Sequence, residues 1–489
     1  MPFQINRIFA DNYKLTLIAW LSGILMGLAY LTLSGYALLI FLVISLLIVT
    51  IFKKMEYGFY LIILFIAVER IFLHIHWKDI DYLVLPHIYF VLLTSLAYFL
   101  TMPPRDSDKK KELSSISIIL ILIILYQAIS ILWTESLSLG IILVLSIITN
   151  FFLFNLTSAV ITDEKSLRIT TKVIVAISLI VATGVILSQW LDYEENLRLN
   201  KYLIIKLAFG EISDRPAGFG GPAHESGFLI LPIFLLAGNV VASKKFSGNI
   251  ASLLVMTYLI IAVILTASRG ALIGMIGGFF ILFLIHPSAK SNFIRNSVLF
   301  IFLVSLAILI AKPTYIDRIL VGFGYTGQLY FSGEGATYTA NYDESEHGIS
   351  GMEQRKYWWK TALYEMADKP FKLILGLGAG GFITTTTAIG THSVPFSFFF
   401  DMGLIGIIIF MFLVIVLYKK CSFYIKNGTR TYCYYVFVVS VIAFVGDVGI
   451  HGLIDYDLNY YPSKMFWFPL GYVCALLNIM KSENPQLEG

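Results

Sequence analysis

The residues able to do chemistry in this 489-residue sequence are few, and they sit beside glycines and prolines at the edges of long apolar runs. Arg215 lies in SDRPAGFGGPAHESG, which opens directly into an apolar run. An arginine presents a rigid fork of N–H donors suited to phosphate, and helix N-termini attract anions. An arginine snorkelling to a membrane surface beside a glycine turn fits the same letters. Arg269, in LTASRGALIGMIGG, is held at the mouth of two apolar runs by a very short connection. Gly270, Gly274 and Gly278 follow it at four-residue spacing, which lets another helix pack closely. Arg355 lies in QRKYWWK beside Lys356 and Lys360, where it could hold an anionic group or form the basic face of an interfacial helix.

His392, in IGTHSVPFSFFFDMGLIG, stands just before an apolar run. A histidine there can take a proton near neutral pH, or it can be a structural residue at a helix start. His224 with Glu225 beside it is a second candidate base at the start of its own run, with helix capping as the alternative. Asp401 follows His392 in the same motif as a further acid.

Other patterns are set aside. GLGAGG at 376–381 spells a dinucleotide fingerprint but has no strand before it. Asp79/Asp81 and Asp455/Asp457 read as spaced acids that could bind a divalent cation, an arrangement common in polar loops. Glu69 and Arg70 fall within an apolar run and so invite a functional reading, but neighbours in sequence do not face each other on a helix. Cys421, Cys433 and Cys474 show no CxxC spacing, so neither a disulfide framework nor a zinc site is expected. Asn155 and Asn427 fit a glycosylation triplet, one inside an apolar run and one on the cytoplasmic side.

Positioning these residues requires a membrane. The chain is 58% hydrophobic and 13% charged, with a mean hydropathy of +0.81, whereas a soluble chain is about 25% charged. The fold class expected is all-α: a polytopic membrane protein with about fourteen spans, each about 16–24 residues long. They are read at 14–33, 35–52, 57–75, 83–102, 114–133, 138–161, 172–191, 226–242, 249–267, 270–286, 296–312, 395–418, 432–447 and 464–480. The chain forms one transmembrane domain, 1–489, with long outer loops at 192–225 and 313–394. GMEQRKYWWKTALYEMADKP should form a helix on the membrane surface, where Tyr357, Trp358 and Trp359 suit the interface.

Lysine and arginine set the orientation. One set of alternate loops carries Lys53, Lys54, Arg105, Lys109, Lys110, Lys111, Lys165, Arg168, Lys172, Lys244, Lys245, Lys290, Arg295, Lys419, Lys420, Lys426 and Arg430, while the short loops of the other set carry only Lys78 and Arg269. Both termini come out cytoplasmic. The N-terminus shows no small-residue cleavage site and runs straight into a span, so it is not read as a cleavable signal. The net charge of +4 gives no reason to expect a nucleic-acid partner.

RPAGFGGPAHESG opening a helix, LTASRG at a hairpin, QRKYWWKTALYEMADKPFKLILGLGAGGF, and THSVPFSFFFDMGLIG leading into a helix resemble, in this order, the O-antigen polymerase/ligase superfamily. The resemblance covers about residues 205–410. The family's last motif is a histidine, a polar residue, an apolar stretch, an acid and Gly-x-x-Gly; here it reads His392, Ser393, Asp401, Gly403 and Gly406. Many relatives have Asn after the histidine and Glu before the glycine, so Ser393 and Asp401 depart from them.

The resemblance implies a bacterial inner-membrane glycosyltransferase that uses a polyprenyl-pyrophosphate-linked oligosaccharide on the extracytoplasmic face. It implies that Arg215, Arg269 and Arg355 hold the pyrophosphate and that His392 is the base, with no metal and no cofactor. Partners would be the lipid-linked glycan, membrane lipid, and a chain-length regulator and flippase. A polymerase is the first expectation, making O-antigen, capsule or exopolysaccharide. A ligase moving finished glycan onto lipid A-core or protein shares the donor. A transporter is the alternative of another class, but most charge lies at span ends rather than mid-membrane. A metal-dependent glycosyltransferase would want an acidic pair in the first outer loop, and Leu33–Tyr36 has none.

Overall fold

The computed structural model of the protein describes residues 50–51, 54–67, 73–77, 80–84, 86–101, 115–190, 222–242, 250–266, 268–285, 351–386, 391–453, 464–484 and 486. The expected spans 14–33 and 296–312, and nearly all of 35–52, lie outside them, as do Glu69, Arg70, Asp79, Asp455 and Asp457.

The described residues are helical apart from one hairpin. In chain order come α1 (Met55–Ala67), β1 (Leu73–Trp77), β2 (Ile80–Val84), α2 (Pro86–Thr101), α3 (Ser115–Ser130), α4 (Leu137–Val160) and α5 (Glu164–Trp190). They are followed by α6 (Pro222–Ala242), α7 (Ile250–Leu265), α8 (Arg269–Ile285), α9 (Gly351–Asp368), α10 (Pro370–Leu375), α11 (Gly381–Thr386) and α12 (Val394–Asn427). The chain closes on α13 (Tyr432–Phe444) and α14 (Lys464–Glu483).

Five stretches are long and apolar enough to cross a membrane: Ser115–Trp133, Leu137–Val160, Glu164–Leu187, Val394–Asn427 and Tyr432–Leu453. Five shorter apolar helices, Met55–Ala67, Phe90–Leu100, His224–Val240, Ile250–Leu265 and Arg269–Ile285, coincide with further expected spans. The helices are apolar all round, so packing rather than polarity separates inside from outside. Almost every residue of α6 and α14 is buried. α3 exposes Ile118, Leu122, Leu125 and Ile129, and α12 exposes Leu404, Ile408, Met411 and Ile415, apolar stripes of the kind lipid solvates.

Boundaries differ from expectation in several places: the expected span 83–102 is helix only from Pro86, the expected span 432–447 runs on to Leu453, and three others have a clear local cause. The expected span 57–75 stops as helix at Ala67, and Leu73–Trp77 pairs antiparallel with Ile80–Val84, Leu73 opposite Val84 and Trp77 opposite Ile80. LHIHW alternates polar and apolar residues at the period of a strand, a signal hidden inside an apolar window. The expected span 172–191 starts as helix at Glu164, eight residues earlier. There the Asp163 carboxylate accepts from Ser166 N at 2.7 Å, and the Ser166 hydroxyl accepts from Asp163 N at 3.1 Å, a reciprocal cap that fixes the start. These hydrogen bonds hold Asp163 below the usual carboxylate range.

The expected span 395–418 runs on to Asn427 and breaks at Gly403, whose φ of 64° and ψ of −155° are open to glycine. The break leaves the Phe400 and Asp401 carbonyls to bond elsewhere. Leu377 N donates to Phe400 O at 2.7 Å and Gly378 N to Asp401 O at 3.1 Å. Gly376 (φ 78°) faces Gly403 across this seam, and a Cβ on either would run into the backbone of the other strand of chain. GLGAGG is therefore a clasp on a broken helix.

The clasp also grips α3 and the turn after it. Ala379 N donates to Ser130 Oγ at 2.9 Å, Thr134 Oγ1 to Ala379 O at 2.8 Å, and the Tyr126 hydroxyl to Leu375 O at 3.0 Å. Over it, α9–α11 and the first limb of α12 enclose a small separate core of Ala362, Met366, Leu377, Phe382 and Phe400.

Candidate active site

His392 occupies the left-handed region at φ 53°, the one positive φ among described non-glycine residues. Such a conformation costs about 1–2 kcal/mol, so its surroundings must hold it. Trp359 Nε1 donates to Thr391 O at 2.9 Å. Thr391 Oγ1 donates to Ser393 O at 2.9 Å and lies 2.6 Å from Ser397 Oγ. Each such bond contributes about 1 kcal/mol net, enough together to offset the strain. The imidazole lies against the Trp358 indole, ring centroids 6.1 Å apart and planes 20° apart. The stack covers one face of the ring and fixes the plane in which both nitrogens lie.

Trp358 and Trp359 come from α9, and so does Arg355. Arg355 precedes the tryptophans by three and four positions, so it shares their side of the helix one turn away. The guanidinium-bearing residue is half-buried, while Tyr357, Lys360 and Tyr364 are exposed. α9 thus joins two of the expected site residues, His392 by ring stacking and Arg355 by helical register. The segment expected to form a helix does so; Trp359 also packs on Phe396, centroids 4.5 Å apart, so both tryptophans pack on the His392–Phe396 segment, and α9–α11 with the first limb of α12 form a cap over the clasp.

α9 is tied to the bundle by an ion network around one buried lysine, Lys372. Lys372 Nζ lies 2.7 Å from Glu365 Oε1 and 3.4 Å from Glu135 Oε1, and Lys369 Nζ is 3.2 Å from Glu365. Hydrogen bonds from Lys372 and then Lys369 hold the Glu365 carboxyl below its usual range. Burial would lower the Lys372 pKa, but the hydrogen bond and charge of Glu365, with Glu135, outweigh it and hold the ammonium above the ordinary lysine range.

Asp401 is buried in the first limb of α12, with its carbonyl in the clasp. Arg269 is exposed as the first residue of α8. His224 is buried at the start of α6, with its Nε2 2.7 Å from Ile66 O at the end of α1, and Glu225 beside it is fully buried. This bond ties α6 to α1. Arg215 lies outside the described residues.

One group not expected from sequence is Asp447 and His451. They sit at i and i+4 beyond α13, with Oδ1 and Nδ1 3.2 Å apart, both buried. Ending the span at 447 split the pair between span and loop, although ionisable residues four apart in an apolar stretch were a usable signal. Among the described residues, Glu164, Cys433 and Glu483 have potential ligand atoms within 4.8 Å of one another. Glu164 pairs with Arg168 and Glu483 accepts from Thr431 Oγ1 at 2.9 Å, so both acids already have partners. This cluster lies toward the Asn427 end of α12, the end opposite His392.

No curated protein matches the chain. Residues 254–411 match the family model Wzy_C, described as O-Antigen ligase. The matched segment runs from α7 into α12 and contains Arg269, Arg355, His392 and Asp401, leaving out His224 and the Asp447–His451 pair. Over that segment the motifs, the clasped helix and the family match coincide, and residues 254–411 of this multi-pass membrane protein are similar to the O-antigen ligase family.

Proposed function

We propose that the protein is a polysaccharide polymerase that moves a growing glycan from its polyprenyl-pyrophosphate carrier onto a new lipid-linked repeat unit. The reaction takes place at the end of the bundle where α3, α8 and α12 present their outer termini; the lysine and arginine bias makes that end extracytoplasmic. His392 takes the proton of an acceptor hydroxyl as its oxygen bonds the donor's anomeric carbon. The bond from that carbon to the pyrophosphate oxygen breaks, and polyprenyl pyrophosphate leaves. Arg215, Arg269 and Arg355 balance the charge gathering on the leaving group, an effect stronger where water is partly excluded. The donor is already activated, so the reaction needs neither nucleotide nor metal. Exposed aromatics of α9, such as Tyr357 and Tyr364, would receive the apolar faces of sugar rings.

The observation that supports this most is the strained His392, stacked on Trp358 within the family-matched segment. The description of the matched family favours a second reading, a ligase with the same donor and site logic. A deletion strain separates the two. A lost polymerase leaves single repeats on the final acceptor, which supports the first reading. A lost ligase leaves long chains on the lipid carrier, which supports the second. Unchanged polysaccharide in both fractions contradicts both.

A further inference from the structure

Beyond α13 the helix widens into a π turn, Val445–Ile450, and then tightens into a 3₁₀ turn, His451–Leu453. A π turn in an α-helix is uncommon and tends to occur at functional sites. This one packs along α8. Gly446 lies backbone to backbone with Gly274: a Cβ on Gly446 would sit 2.6 Å from Gly274 O, and one on Gly274 would collide with Gly446 O and come within 3.3 Å of the His451 Cβ. A Cβ on Gly277 would meet Ile450 Cδ1 at 2.6 Å. Within the glycine spacing of α8, Gly274 thus has the π turn as its partner, while a Cβ on Gly278 would meet the Phe234 ring of α6. Asp447 lies in that turn and His451 is the residue that follows it, 4% and 0% exposed, and their mutual bond spans the end of the turn.

We propose that the Asp447–His451 pair is a positioning device for Arg269. It holds the π turn in shape, the π turn clamps α8 at Gly274, and the clamp sets where the first turn of α8 presents its arginine. Arg269 lies five residues before Gly274, less than two turns away, and is exposed beyond the clamp. Its other support is short. The connection from α7 is residues 266–268, where Thr266 Oγ1 donates to Val263 O at 2.7 Å and accepts from Ser268 N at 3.4 Å. A helix end held at two points cannot shift without one of them yielding. The buried pair is the more demanding of the two, because both of its groups are held away from water. The functional meaning of this placement rests on the reading of Arg269 as a pyrophosphate-holding residue; the placement itself does not.

The test uses the full-length protein in detergent or proteoliposomes and has two readouts. The first follows the thiol introduced by Arg269→Cys, labelled with a membrane-impermeant maleimide, with and without Asp447→Asn. The native cysteines Cys421, Cys433 and Cys474 are buried. Asp447→Asn should change the labelling rate ~5-fold or more while a label site on α9 stays unaffected; an unchanged rate overturns the proposal. The second readout is affinity for farnesyl pyrophosphate, a short polyprenyl pyrophosphate, in a cycle of Asp447→Asn and Arg269→Ala. Asp447→Asn should weaken binding ~10-fold in the parent and have little effect once Arg269 is gone, the signature of coupled residues. Equal losses in both backgrounds overturn the proposal and leave the pair a stabiliser of the bundle. If Arg269→Ala leaves affinity unchanged, the pyrophosphate reading of Arg269 fails, and the labelling readout alone decides the placement. Should Asp447→Asn fail to accumulate in the membrane, Gly446→Ala perturbs the same clamp without touching the pair and must shift the labelling rate in the same assay.

Discussion

His392 shows how little a single residue needs from its own sequence and how much from a distant helix. Its backbone strain is held by Trp359 and by the Thr391 and Ser397 hydroxyls gathered on the Ser393 carbonyl, and its ring by Trp358, which lies 34 positions earlier. Removing the indole N–H while keeping an aromatic ring should therefore loosen the turn without opening a large cavity. Trp359→Phe is expected to lower stability by about 1 kcal/mol and to slow glycan transfer more than it weakens donor binding. Thermal unfolding and kcat against KM would check this; unchanged turnover would mean the Thr391 turn needs no such support. At this scale the sequence was legible in residue type. The histidine, the arginines and the tryptophans were all visible, but that Trp358 and His392 stack was not, because contacts across a loop leave no periodic trace.

At the scale of elements, the break in α12 and its glycine clasp carry the architecture of the site. Gly403→Ala puts a side chain into φ 64° and against the backbone near Gly376. The backbone conformation alone costs about 1–3 kcal/mol, and the collision adds to it, so folded protein in the membrane fraction should fall sharply. Normal accumulation with a normal melting temperature would show that the clasp is dispensable.

The Glu365–Lys372 pair that fixes α9 gives a pH signature. Glu365 is depressed in the folded protein, so its contribution is present above the unfolded carboxylate pKa and is lost as pH falls through the lower folded value. Lys372 is raised, so its contribution is complete below the unfolded lysine pKa and is lost as pH rises through the higher folded value. Lys372→Met should thus destabilise the cap between these limits and much less at the acid end, read as melting temperature against pH. A difference that does not depend on pH would assign the effect to packing of the lysine stem.

Element types followed from long apolar windows: 114–133 and 249–267 lie within two or three residues of Ser115–Trp133 and Ile250–Leu265. The exceptions have physical causes. LHIHW is apolar enough to read as span yet pairs as a strand, α5 starts where a cap rather than hydropathy dictates, and GLGAGG is spelled like a phosphate loop but serves a helix break.

At the scale of the molecule, the described residues bring distant segments together in two groups of contacts. Ser130 meets Ala379 and Gly274 meets Gly446, near ends expected on one side, and Ile66, where α1 now ends, meets His224. Arg168 lies over the Tyr432 ring at 3.6 Å and Thr429 N donates to Asn484 Oδ1 at 3.3 Å at the other end. If lysine and arginine set the sidedness, reporters at 165 and 428 should be active in the cytoplasm and one at 379 outside; the reverse pattern would turn the proposed site to the wrong face. The expected path rests on charge and hydropathy alternating along the sequence, whereas the Asp447–His451 turn left no such trace, since a π turn changes the helix pitch without changing composition.

The most direct test of the proposed chemistry is elongation of lipid-linked repeat units by the purified protein, with and without chelator, beside His392→Ala prepared identically. Loss of a general base slows a reaction by about 10²–10⁴-fold. The expected result is elongation by the parent that survives chelator, a drop of that size in the variant, and unchanged binding of the lipid-linked donor. Elongation by His392→Ala at the parent rate would contradict the assignment of His392 as the base.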